Sequence, residues 1–129
     1  MRLATLSLLL LAALLSISAK PRTSPVFDAY YTRIGIKAEN ERLKNYATVL
    51  RNYPQGRGLI VVYAADEKSV KSAKARGLRA YEFVKAHGVE PGKIAWRYEA
   101  ACNKEVILLY LLDPDRSIPD RDPKCLRAF

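Results

Sequence analysis

Basic side chains recur along one predicted helix, at a spacing that would suit an anionic ligand. Five of them fall on or near the outward face of a helix predicted over residues 69–86: Lys68, Lys71, Lys74, Arg79 and Lys85. Such a row of charge attracts polyanions, among them nucleic acid, anionic lipid headgroups and acidic cell-wall polymers. Solubility alone would also account for it. The cations form no continuous run of five or six, so nucleic acid is not the partner we expect.

The sequence positions no catalytic group. His87 is the only histidine. It is predicted to lie in the turn that ends this helix, where a histidine more often complements the helix dipole than does chemistry. No glycine-rich loop follows a strand as a phosphate-binding loop would. We therefore expect a binding protein that is not an enzyme and that holds no metal or cofactor.

The first nineteen residues have the three-part pattern of a secretory signal peptide. Met1 and Arg2 place positive charge at the start, Leu3 to Leu15 are almost wholly apolar, and small residues end the segment at Ala19. A membrane anchor is the alternative, but this apolar run is shorter than the roughly 20 residues that a spanning helix needs. The sequence thus predicts an exported protein, in the periplasm or associated with the outer membrane, with no transmembrane span after cleavage.

The exported part is predicted to be one small basic domain. The whole chain carries a formal charge of +9, and loss of the leader removes only the cation Arg2, which leaves +8. We divide the rest of the chain into a linker (20–26), an α/β domain (27–114) and an irregular C-terminal tail (115–129). At this size one domain is expected.

Both cysteines lie in the exported part. An even number of cysteines in an oxidising compartment predicts a disulfide, here between Cys102 and Cys125, although free thiols are the alternative. The bond would close a loop of about 23 residues and stabilise the fold by roughly 3 kcal/mol. Two cysteines so far apart, with a single histidine, make a poor metal site.

Hydrophobic periodicity predicts six elements in the order β-α-β-α-β-β. Apolar residues at helical spacing indicate helices over 38–53 and 69–86, whereas β-prone or alternating runs indicate strands over 26–36, 59–63, 93–98 and 105–112. Gly77 lies in the inward stripe of the second helix, which predicts close packing against the sheet. The order favours an α+β two-layer sandwich, with two helices on one face of a mixed four-stranded sheet. The last two strands are close enough in sequence to pair antiparallel.

From about Phe27 to Pro114 the chain resembles the OmpA-like C-terminal domain, a peptidoglycan-associating module, and also divergent small exported versions of it in acidobacterial-type proteins. The motifs that carry the resemblance are Leu43-Lys44-Asn45-Tyr46-Ala47-Thr48-Val49-Leu50, Leu59-Ile60-Val61-Val62, Arg79-Ala80-Tyr81-Glu82-Phe83-Val84, His87-Gly88-Val89 and Asn103-Lys104-Glu105-Val106.

The resemblance implies a ligand-binding pair, Asp66 and Arg79. In the family, an Asp after the second strand and the Arg of the Arg-Ala stretch bind the zwitterionic centre of diaminopimelate. An arginine fork suits the carboxylate of that group, and the aspartate suits its ammonium. The family's Gly-His-Thr-Asp approach reads Tyr63-Ala64-Ala65-Asp66 here, and the segment between Asp66 and Arg79 is shorter than in the family.

Three functions therefore remain open. The chain could be a non-catalytic module of the cell envelope that associates with peptidoglycan. It could bind polyanions or a partner protein through the helix over 69–86, with a basic patch of Lys68, Lys71, Lys74 and Lys85. It could also be a degenerate structural module with no ligand.

Overall fold

The computed structural model describes residues 22–23 and 25–117, with side chains described for residues 25–115. The strands are β1 (Arg22–Thr23), β2 (Val26–Tyr31), β3 (Arg57–Ala64), β4 (Ile94–Ala101), β5 (Val106–Leu112) and β6 (Arg116–Ser117). The helices are α1 (Ile36–Arg51) and α2 (Val70–Ala86). The predicted order of six main elements is confirmed, with boundaries that differ by a few residues.

The largest boundary difference is at the first strand, which was predicted to continue to Ile36. β2 ends at Tyr31, and a one-turn 3-10 helix, Thr32–Ile34, leads into α1 through Gly35. Gly35 has a φ of +94°, a backbone conformation that favours glycine. The chain can therefore turn from strand to helix within four residues.

Four strands form one mixed sheet in the order β2-β5-β3-β4. β3 and β4 are parallel neighbours, as a strand–helix–strand unit requires, and β5 lies between β2 and β3, antiparallel to both. The α+β two-layer architecture is thus confirmed, but the expected antiparallel pairing of the last two strands is wrong. The α2 crossover places β4 beside one edge of β3. The other edge of β3 is therefore open for pairing, and β5 pairs there.

The core of the domain lies between α1 and α2 and one face of the sheet. The predicted apolar stripe of α1 is buried, with Leu43, Tyr46, Ala47 and Leu50 fully covered. The Tyr46 hydroxyl donates a 2.6 Å hydrogen bond to the backbone carbonyl of Tyr110 in β5, which fixes the helix against the sheet. Burial of this phenol raises its pKa far above the ordinary value, so it remains a donor.

Gly77 lets α2 approach the sheet closely. A Cβ at this position would lie 2.8 Å from the Trp96 ring and 2.9 Å from a Val62 methyl group. The prediction of close packing at Gly77 is confirmed. α2 ends at Ala86, and Gly88, with a φ of +90°, follows as the glycine that terminates the helix.

Two short strands were not predicted. β1, within the predicted linker, pairs in parallel with β6, within the predicted tail. Two residues on each side are too short to show a hydrophobic period, so this pairing has no local sequence signal. It brings the two ends of the described chain together.

Candidate functional site

Several polar segments meet at one end of the sheet. β2, β3 and β4 run in the same direction, so their carboxyl ends, the starts of both helices and the β4–β5 turn lie at the same edge. In open α/β sheets this edge is where ligands usually bind. Asp66 follows β3 at this edge, and Arg79 lies farther along α2.

Asp66 serves as a helix cap. Its carboxylate accepts a 2.9 Å hydrogen bond from the backbone N–H of Ser69, and the Ser69 hydroxyl lies 3.1 Å from the backbone nitrogen of Asp66. This reciprocal arrangement is a capping box at the one-turn 3-10 helix that precedes α2. Ser69 is the last residue before α2, and its side chain bonds back to Asp66. Asp66 remains exposed, so one of its carboxylate edges can still face a ligand.

Arg79 is held by groups of α1. Its Nη1 donates to Glu39 Oε1 at 2.5 Å, and its Nη2 donates to Asn40 Oδ1 at 2.7 Å. The Glu39 side chain is 0% exposed, whereas the Arg79 side chain is 34% exposed. The guanidinium therefore has an inner edge fixed by a buried carboxylate and an outer part open to solvent.

Asp66 and Arg79 are separated along α2. Arg79 lies nine residues after Val70, the first residue of the helix, which corresponds to about 14 Å of rise. A ligand that touched both groups would therefore have to extend along the helix. Whether the two residues act as one site stays a prediction.

Arg76 extends the charged cluster towards the β4–β5 turn. Its Nη1 lies 3.6 Å from Glu39 Oε1, and its Nε lies 3.6 Å from Glu105 Oε1. These distances allow ionic attraction but are longer than full hydrogen bonds. Thr32 donates a 2.9 Å hydrogen bond to the same Glu105 oxygen, so the turn and the end of β2 are joined.

Tyr30 closes the inner side of the cluster. Its hydroxyl and the second Glu39 oxygen, Oε2, are both buried without a hydrogen-bond partner of normal geometry among the described residues. Burial raises the pKa of the Tyr30 phenol far above its ordinary value, and the neighbouring Glu39 carboxylate raises it further. The phenol therefore keeps its proton and presents an uncharged wall to the ion pair.

A cleft of about 340 Å³ adjoins this cluster. It is lined by Tyr31, Thr32, Arg33, Asn103, Lys104 and Glu105. Arg33 Cζ lies 5.8 Å and Lys104 Nζ 5.0 Å from the centre of the Tyr31 ring. Both are cation–π contacts. We call this cleft and the cluster of Glu39, Arg76 and Arg79 the strand-end site. It holds four cations and two carboxylates, which is a net charge of +2.

Three of the four lysines of the predicted basic patch lie on the opposite flank of α2 from the two arginines, and Lys68 lies in the 3-10 helix that precedes α2. At 100° per residue, Lys71, Lys74 and Lys85 point away from α1, whereas Arg76 and Arg79 point towards it. The expectation that Arg79 lies on one face with the lysines is therefore wrong, because Glu39 draws it into the contact between the helices. Lys74 lies 5.3 Å from the centre of the Tyr98 ring.

The four lysines of the patch differ in their partners. Lys68 and Lys71 are exposed, and neither forms an ion pair within the described part of the chain. Lys85 contacts Glu82 at 3.3 Å and the Tyr81 ring at 4.4 Å. Lys68 and Lys71 thus present the charge of this patch most openly.

Two sequence predictions fall partly or wholly outside the described residues. The predicted signal peptide, residues 1–19, is outside them, and so is Cys125. Cys102 follows the end of β4 and packs against the face of the sheet opposite the helices. No cysteine in the described part of the chain is a free thiol. The pairing of Cys102 with Cys125 stays a prediction.

Sequence reasoning missed most of the strand-end site. Glu39 carries no local signal of its role, because an acidic residue in the first turn of a helix looks the same whether it faces solvent or an arginine of another helix. Arg76 was not among the predicted site residues. The contacts that join them cross almost 40 residues of sequence, and no local periodicity reports such a distance. The one usable signal was the predicted β-α-β-α-β order along the chain. Parallel strands joined by helices place their carboxyl ends at the same edge of a sheet.

Similarity to known proteins is found among solved structures and not among sequences. No family model and no curated protein matches the chain. The periplasmic domain of Helicobacter pylori MotB (residues 78–256) is similar at 11% sequence identity with a TM-score of 0.49. The similarity covers 58% of this chain and spans 62% of the length of that one. Within residues 22–117, no helix is both long and apolar enough to cross a membrane.

Proposed function

We propose that this protein is a non-catalytic binding module of the cell envelope, and that it binds peptidoglycan through carboxylate groups at the strand-end site. The observation that carries the proposal is Arg79: a buried carboxylate holds its inner edge, and a third of its side chain remains open to solvent. The sequence resemblance to OmpA-like domains assigns a ligand contact to the same residue.

The chemistry of Arg79 supports a carboxylate ligand. A guanidinium has five N–H donors, and Glu39 and Asn40 receive bonds from only two of its nitrogens. Because both contacts hold the plane of the group in one orientation, little side-chain entropy remains to be lost when a ligand binds. The net charge of +2 at the strand-end site adds attraction for an anion.

The direct test is co-sedimentation of the mature protein, residues 20–129, with purified peptidoglycan sacculi. Arg79→Ala is a poor variant for this test, because it would leave Glu39 buried without its closest cation and could unfold the domain. Arg79→Lys keeps the charge beside Glu39 but loses the planar fork. We expect this variant to remain folded and to bind sacculi about tenfold more weakly.

Asp66→Asn provides a second variant that separates ligand contact from stability. Asparagine caps helices about as well as aspartate, so the capping box would remain. Loss of sacculus binding in a folded Asp66→Asn protein would support a contact between Asp66 and a ligand ammonium. Unchanged binding would show that Asp66 does not contact the ligand and would leave the role of Arg79 intact. If both variants bind sacculi as well as the wild type, the strand-end site is not the peptidoglycan contact.

A second candidate function is polyanion binding through the lysine flank of α2. It is favoured by Lys68 and Lys71, which are exposed and have no acidic partner within the described part of the chain. Its signature is an affinity for an acidic cell-wall polymer that falls steeply with salt. A Lys68→Ala, Lys71→Ala double variant would weaken that affinity and leave sacculus binding at the strand-end site unchanged. A chain that binds neither sacculi nor polyanion would fit the third hypothesis, a structural module without a ligand.

A further inference from the structure

We infer that the last twelve residues of the chain, 118–129, cover the second face of the sheet and are tied there by a disulfide between Cys102 and Cys125. The face in question is opposite α1 and α2. It is formed by alternate residues of β3 and β5, and we call it the helix-free face: Leu59, Val61, Tyr63, Val106, Leu108 and Tyr110.

The helix-free face is buried although both helices lie elsewhere. Its six side chains are between 0% and 8% exposed. The apolar side chains packed around them come from the sheet itself or from the residue after β4, and include Ala29, Ala100 and Cys102. α1 and α2 pack with the other face, in a separate core cluster. Side chains of one sheet layer cannot bury each other this completely, so another segment must cover them.

Cys102 indicates which segment this is. It follows the end of β4, packs against the helix-free face and is not a free thiol. The chain has two cysteines, so its partner within the chain can only be Cys125. The predicted leader contains no cysteine and would be removed on export. The segment around Cys125 is therefore the occupant that the sequence and the face both favour.

The position of the two ends requires this segment to cross the sheet. β6 ends at Ser117, five residues after β5, and β5 runs antiparallel to β3. Cys102 lies at the opposite end of the sheet, where its backbone N–H bonds to the carbonyl of Ala64 at 2.7 Å. The seven residues of β5 span about 23 Å, and the eight steps from Ser117 to Cys125 can reach about 27 Å. The chain is long enough to reach Cys102 only if it runs nearly straight along the sheet.

The composition of the segment suits this path. Ile118, Leu126 and Phe129 are apolar, and the five charged residues of the segment could remain in solvent at its sides. Pro119 and Pro123 favour an extended backbone. Forming the disulfide joins the two Sγ atoms, releases two protons and passes two electrons to a disulfide-containing thiol oxidase of the exporting compartment.

Photo-crosslinking of the mature protein, residues 20–129, tests the inference. A Tyr110→p-azidophenylalanine variant places a probe of similar size on the helix-free face. Leu78→p-azidophenylalanine is the matched control, because Leu78 lies on α2 with 46% exposure. We expect the Tyr110 probe to crosslink to peptides from residues 118–129 of the same chain, with at least a tenfold lower yield for the control. Mixing ¹⁵N-labelled and unlabelled protein distinguishes a second copy of the chain.

Peptide mapping without reductant provides the second measurement. It should give a linked peptide that contains Cys102 and Cys125, and a Cys125→Ser variant should lower the crosslinking yield at Tyr110 several-fold. The inference is overturned if both cysteines react with a thiol reagent in the folded protein. It is equally overturned if the Tyr110 probe crosslinks to a second copy or to nothing in the tail.

Discussion

The two flanks of α2 carry the same sign of charge but use it in different ways. On the flank towards α1, Arg76 and Arg79 meet the fully buried Glu39. On the other flank, Lys71 extends into solvent, as does Lys68 in the 3-10 helix just before α2, and neither forms an ion pair within the described residues. From the sequence alone these cations form one row. The structure divides them into arginines that hold two helices together and lysines that do not.

This difference teaches that the availability of a cation depends on its nearest carboxylate, and not on the number of cations in a helix. An arginine suits the inner flank, because its planar fork can bond Glu39 and Asn40 together while one part reaches solvent. A lysine suits the outer flank, where a strongly hydrated charge loses nothing by staying in water.

The largest expected effect comes from removing Arg79. Arg79→Ala would leave a buried carboxylate without its closest partner and should lower the free energy of unfolding by about 3 kcal/mol. Lys71→Ala is the matched change on the other flank and should stay within about 0.5 kcal/mol of the wild type. Urea unfolding followed by circular dichroism measures both. Equal effects of the two substitutions would erase the distinction between the flanks.

The next largest effect on stability is expected on the sheet-facing side of α2, between its two flanks. Gly77→Ala would place a methyl group within 3 Å of the Trp96 ring and of Val62. We expect a loss of about 2 kcal/mol, because overpacking outweighs the higher helix propensity of alanine. Ala75→Gly on the exposed side is the control, with a loss of about 1 kcal/mol from propensity alone. A Gly77→Ala protein more stable than the wild type would show that α2 can move away from the sheet.

Substitutions in the capping box before α2 should have a smaller effect on stability. Ser69→Ala removes the hydroxyl that bonds Asp66 and should cost about 1 kcal/mol, whereas Asp66→Asn should cost less than about 0.5 kcal/mol. Thermal unfolding of the two variants measures the difference. If Asp66→Asn proved the more damaging change, the negative charge of Asp66 would matter to the fold, and its use as a pure test of ligand binding would be lost.

A higher salt concentration should weaken binding least at the strand-end site and most at the lysine flank. The contact with a carboxylate through an oriented arginine depends mainly on hydrogen bonds, so raising salt from about 50 to 300 mM should weaken sacculus binding only modestly. Polyanion binding through several lysines should fall far more steeply. Binding assays with sacculi and with a soluble polyanion at both salt concentrations compare the two, and identical slopes would indicate one shared surface.

Local patterns were enough to predict the elements and the close packing at Gly77, but not the strand order or the contacts between the two helices. The run Leu59–Tyr63 identifies a central strand, and the apolar stripe of α1 identifies a helix. Each pattern is contained in a short stretch of sequence. The place of β5 between β2 and β3 depends on which side of β3 the α2 crossover has already filled. The position of Glu39 beneath Arg79 depends on the packing of two helices and joins residues 40 apart in sequence. These are properties of the whole fold, so neither could be predicted from a local pattern.

The most direct test of the central claim compares wild type and Arg79→Lys in sacculus co-sedimentation, with unfolding measured in parallel. If Arg79 uses its inner edge for Glu39 and its outer part for a peptidoglycan carboxylate, the variant will remain folded and bind about tenfold more weakly at both salt concentrations. Full binding by a folded Arg79→Lys protein would contradict the account, because it would show that the arginine fork holds α1 and α2 together and does nothing more.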